Sequence, residues 1–219
     1  ILLAMFMPAV LTLLGGALYF LIFPGSFDSG MGALKQVLGS SADTTNLTDL
    51  MISEVILAVT LAPFFNAVFA IGEETGWRGY LTPELSRRFG YRNGIIISGI
   101  IWGVWHAPLI ILGGYNYGIG YWGSPWTGVL AMCVFTTAAG ICLSWLYEKS
   151  NSIIVPAIAH GALNAVAALP IYFMKSYPTH YILGPMLPGL ISVIPMALAA
   201  VLLLRRHKQG EEINVESDY

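Results

Sequence analysis

The sequence predicts an all-α fold, a polytopic transmembrane helical bundle of at least six spans. Three observations carry that prediction. Of 219 residues, 56% are hydrophobic and 10% charged, against about 25% charged in an ordinary soluble domain. Apolar runs of about 20 residues, the length a helix needs to cross the hydrocarbon core, recur along the chain. Most charges gather between those runs, while Glu73, Glu74 and Arg78 sit at the end of one.

The first span is read over 1–23 and stops at Pro24-Gly25. No basic segment or cleavage signal precedes it, so it is not read as a signal peptide. Residues 24–50 form a polar outer loop with a short amphipathic turn. The second span runs from about Met51 to the Glu73-Glu74 pair, and Pro63 predicts a kink in it. A basic link over 81–94 carries Arg87, Arg88 and Arg92. From Asn93 to Tyr147 no residue is charged, a stretch too long for one helix. The cluster Gly113-Gly114-Tyr115-Asn116-Tyr117-Gly118, continuing to Trp126, divides it into spans over 94–112 and 127–147. Tyr115, Tyr117, Tyr121, Trp122 and Trp126 suit a membrane interface. A fifth span is expected over 152–173 and a sixth over 182–204. The membrane domain closes at residue 208, and 209–219 read as a short polar tail. Cys133 and Cys142 share one apolar run without metal-pair spacing and read as buried thiols.

With connections alternating sides, Arg78, Arg87, Arg88, Arg92, Lys149, Arg205, Arg206 and Lys208 fall together, and Lys35 and Lys175 fall opposite. The positive-inside rule makes the first side cytosolic. Glu73, His106 and His160 are then compatible with one intramembrane cavity facing the cytosol. The net charge of −2, with no basic stripe, points away from nucleic acid. The partner that composition implies is the lipid bilayer.

Charges near a membrane span need a reason. Glu74 and Arg78 stand at i, i+4 and can pair. Glu73 is rotated by about 100° and shares a face with Trp77 instead. His106 lies in Trp102-Gly103-Val104-Trp105-His106. His160 and Asn164 share a face at i, i+4, with small neighbours leaving room around them. Each group also has a structural reading, as a helix-end anchor or as hydrogen-bonding between helices. No HExxH or GxSxG occurs, and Asp28, Asp43, Asp49 and Asp218 all lie outside the spans, which excludes a two-aspartate protease. Glu73 with His106 can activate a water, and His160 with Asn164 can stabilise an oxyanion. Alternatively, Glu73, His106 and His160 form a possible zinc set.

In these motifs, Glu73-Glu74-xxx-Arg78, Trp102-xxx-His106 and His160-xxx-Asn164, the chain resembles the CPBP (Abi) family of intramembrane proteases, and within it the type II CAAX prenyl endopeptidases. Trp102 stands where the family commonly has Phe. The resemblance covers about residues 50–175 and implies about eight spans, two more than counted, consistent either with helices missing at the N-terminus or with an under-count within the chain. It implies Glu73 as general base assisted by His106, His160 and Asn164 as the oxyanion hole, and Glu74, Arg78, Trp77 and Trp102 in support, without a cofactor. The implied substrate is a prenylated CAAX protein, cut to release a C-terminal tripeptide. The implied location is the cell membrane in a prokaryote or the endoplasmic reticulum membrane in a eukaryote. A bacteriocin-like peptide substrate, or a non-enzymatic scaffold or immunity role, stands as the alternative.

Overall fold

The computed structural model describes residues 1–217, with side-chain placement through Arg206. The elements are α1 (Leu2–Ile22), α2 (Gly32–Leu38), α3 (Leu47–Thr60), α4 (Ala62–Gly76), α5 (Thr82–Phe89), α6 (Tyr91–Trp105), α7 (Ala107–Gly113), α8 (Trp126–Ser150), α9 (Ile154–Val166) and α10 (Ile194–Ser217). Among the described residues the only extended pairing is two isolated bridges, Phe27 with Met174 and Gly118 with His180.

Two of the expected spans are broken where proline demands it. Pro63 cannot donate to the Val59 carbonyl, and the chain bends by 46° between α3 and α4. Pro108 does the same to the third span, so α6 ends at Trp105 and α7 starts at Ala107, leaving His106 at the junction. Between α4 and α5, Trp77–Leu81 form a π-helical turn. A π turn takes up one extra residue, so a four-residue spacing stays in phase along α4 and α5 instead of drifting around the helix.

That phase sets up a ladder. Gly90 turns the chain with φ of 79°, a conformation that favours glycine. On either side of it, α5 and α6 meet in matched pairs. Gly94 packs on the Ser86 backbone with no room for a Cβ. Thr82 and Ser98 share a 2.7 Å hydroxyl hydrogen bond, and Arg78 lies over the Trp102 ring. Each pair is equidistant from Gly90 in sequence.

Helix α8 is the axis of the bundle: 67% of its apolar window is buried, against 33% for α1. It meets α6 through small residues, because a Cβ at Gly99 or Gly103 would lie 2.5 Å from the Cα of Thr137 or Cys133. Thr136 Oγ1 donates to the Gly99 carbonyl at 2.8 Å across the same contact. Gly161 performs the equivalent service between α9 and α4, where a side chain would strike the Pro63 carbonyl.

The six expected spans need correction. Among the described residues, four helices are long and apolar enough to cross a membrane, and five if the bent α3–α4–α5 segment is one span. The sixth span fails in its first half. Residues 182–193 fold as turns, with Leu190 N–H bonding the Ile182 carbonyl at 2.9 Å, and helix resumes only at Ile194. Gly184-Pro185 and Pro188-Gly189 supply the break, since neither prolines nor glycines sustain a helix interior. The segment is apolar enough to span but is punctuated as a turn. Side chains of the expected polar tail, 209–219, lie outside the described residues.

Candidate active site

The polar groups converge where α4, α6 and α9 meet. Glu74 is fully buried and Arg78 nearly so. Arg78 Nη1 donates to Glu74 Oε1 at 3.0 Å, the pairing their spacing predicts. The same oxygen accepts His160 Nδ1 from α9 at 2.8 Å. Glu74 therefore ties its own helix to α9, and its cost of leaving water is offset by two donors, one permanently charged. With Nδ1 committed to a carboxylate, His160 presents Nε2 as its free nitrogen.

Glu73, half-buried, has a different set of neighbours. Its Oε2 accepts the indole N–H of Trp77 at 3.3 Å and that of Trp102 at 3.1 Å. Both donors are neutral, and both fall on one oxygen. The Arg78 guanidinium carbon sits 4.6 Å from the Trp102 ring centroid, within cation–π range. His160 meets that same indole edge-on, at 5.2 Å between ring centroids and 73°.

His106 occupies the α6–α7 break. Its Nδ1 lies 2.9 Å from the Trp102 carbonyl. A carbonyl only accepts, so Nδ1 carries the proton and Nε2 of the neutral ring keeps its lone pair. Tyr115 stacks on the imidazole at 5.9 Å and 7°, and Trp105 meets it edge-on at 5.0 Å. Asn164, one turn beyond His160 on α9, is exposed.

The structure thus draws Glu73, Glu74, Trp77, Arg78, Trp102, His106 and His160 into one contiguous group and leaves Asn164 beside it. Two contributors escaped the sequence reading. Asn66 Nδ2 donates to the Gly161 carbonyl at 3.1 Å and holds α4 against α9. Its signal was present: it is the single polar side chain between Thr60 and Glu73, two turns before Glu73. Tyr115 left no such signal, because its contact depends on the chain reversing after Gly113.

Glu73, His106 and His160 are chemically a zinc donor set. Among the described residues no three His, Cys, Asp or Glu side chains converge as metal ligands require. An apolar groove of about 650 Å³ runs along α6, α8 and α10 past Ile100, Val104, Leu130 and Val201. It contains none of the site residues.

Comparison with known proteins bears on the same stretch. Residues 53–166 match the family model described as type II CAAX prenyl endopeptidase, Rce1-like. The CAAX prenyl protease 2 of Methanococcus maripaludis is 36% identical over 103 residues, which are 46% of this chain and 37% of that protein. The chain therefore aligns with well under half the length of that relative. No solved structure matches. The matched residues run from α3 to the end of α9 and include every side chain of the group above.

Proposed function

We propose that this chain, which belongs to the Rce1-like family of type II CAAX prenyl endopeptidases, is an intramembrane endopeptidase that removes the C-terminal tripeptide from prenylated CAAX proteins at a cytosol-facing site. The observation that carries the reading is the asymmetry of the two carboxylates. Glu74 is buried and ion-paired, whereas Glu73 is half-buried and held only by neutral N–H groups. A carboxylate that is oriented but not neutralised by a cation remains able to take a proton.

In this reading Glu73 accepts a proton from water while His106 Nε2 accepts the second hydrogen and fixes the water's direction. The water oxygen bonds to the carbonyl carbon of the prenylated cysteine. The resulting oxyanion receives the Asn164 amide N–H and, from the doubly protonated ring, His160 Nε2–H. Glu74 supports that ring through Nδ1. As the C–N bond breaks, the proton on Glu73 passes to the departing amine, giving the prenyl-cysteine acid and a free tripeptide; the acid's own proton then passes to the tripeptide amine. No metal enters any step.

The test is mass-spectrometric detection of the tripeptide after mixing the purified, lipid-reconstituted protein with a farnesylated CAAX peptide. Release unaffected by chelators, from protein lacking stoichiometric zinc, is the expected result. A folded protein that releases no tripeptide from farnesylated or geranylgeranylated peptide overturns the substrate assignment. Activity that chelation abolishes and zinc restores overturns the metal-free mechanism.

A further inference from the structure

We propose that Trp102 is a positioning residue that fixes which oxygen of Glu73 meets the reacting water. The proposal rests on the peptidase reading above. Its starting point is that an indole, unlike a phenyl ring, can stack and donate at once. The Trp102 indole does both. Its N–H reaches Glu73 Oε2 at 3.1 Å, and its face lies under the Arg78 guanidinium, 4.6 Å from the ring centroid. Trp77 sends a second N–H to the same oxygen at 3.3 Å. Both donors on Oε2 leave Oε1 as the oxygen open to water.

The two contacts of Trp102 reinforce each other. A cation over the indole face withdraws electron density and sharpens the edge N–H as a donor. Trp102 thereby passes part of the Arg78 charge to Glu73 without an ion pair. A direct Arg78–Glu73 bond would instead make Glu73 a second Glu74, tied into an ion pair. The backbone of the same residue orients His106, whose Nδ1 lies 2.9 Å from the Trp102 carbonyl. Base and assistant are thus aligned from one position, and Trp102, 3% exposed, has little freedom to move.

The experiment compares the whole protein with Trp102→Phe and with benzothienylalanine at position 102, which keeps the bicyclic shape but has sulfur in place of N–H. Losing a hydrogen bond to a charged group should lower kcat about tenfold, with KM unchanged within about twofold because substrate contacts survive. Trp77→Phe should act in the same direction but less, in keeping with its longer bond. Ultraviolet resonance Raman supplies a readout that needs no turnover. The hydrogen-bond-sensitive indole band assigned to Trp102, by difference from Trp102→Phe, should shift in Glu73→Ala.

If Trp102→Phe folds poorly, the benzothienylalanine protein decides by its kcat and takes the place of Trp102→Phe in assigning the band for the Glu73→Ala comparison. Wild-type kcat in the benzothienylalanine protein, or an indole band unmoved by Glu73→Ala, overturns the proposal. A band that shifts in a protein that cleaves no prenylated peptide supports the Trp102–Glu73 contact and refutes the peptidase reading, so the two failures are distinguishable.

Discussion

Glu73 and Glu74 are neighbours in sequence and opposites in surroundings. Glu74 is sealed inside the α4–α9 contact, where one oxygen takes both a guanidinium and an imidazole. Glu73 faces outward from the same turn and takes two indole N–H groups. Burial with charged partners makes a carboxylate architectural, because its removal strands the charges it compensated. Partial exposure with neutral partners makes a carboxylate chemical, because it is aimed without being spent. In the function proposed above, one helical step of about 100° separates a structural role from a reactive one.

The contrast can be broken by removing each carboxylate in turn. The largest effect is expected for Glu73→Ala, which should lower turnover of a farnesylated CAAX peptide by about 10²–10⁴-fold, the worth of a positioned base. Its melting temperature should move by no more than about 2 °C. Undiminished turnover by this variant would end the base assignment. Glu74→Ala should show the reverse emphasis, losing about 3–5 kcal/mol of stability because Arg78 is left buried without its counter-charge. Chemical denaturation in detergent measures this. Equal stability for the two variants would erase the distinction drawn here.

A smaller effect sharpens the comparison on the α9 side. Asn164→Ala should cost about 10²-fold in kcat, as for one oxyanion donor, with an unchanged melting temperature because Asn164 is exposed. A fall in melting temperature with turnover intact would instead mark Asn164 as a structural side chain.

What could be read in advance follows the range of each interaction. Glu74 with Arg78 and Glu73 with Trp77 are single-turn pairs, and helical geometry alone places them. His160 with Glu74 and Trp102 with Glu73 join residues 86 and 29 positions apart. Spacing cannot reveal such contacts, although the residues themselves stood out as polar groups in apolar runs. Pro63 predicts a kink in the sequence, and Pro108 interrupts its span by the same missing N–H. Over 182–204 hydrophobicity points to a span, whereas Gly184, Pro185, Pro188 and Gly189 keep the first half out of a helix. Apolarity says where a segment can lie; only its backbone chemistry says whether it is a helix there.

The ladder around Gly90 carries a consequence for how this chain can vary in length. Its two arms are matched residue for residue, and the π turn at Trp77–Leu81 absorbs the slack on one of them. A residue deleted between Arg78 and Gly90 would shorten one arm alone, carrying Arg78 off the Trp102 ring and turning Glu73 away from Trp102. Relatives that gain or lose a residue on one side of the turn must therefore change the other side as well. The hairpin behaves as a caliper, whose two jaws keep their reading only when they are reset together.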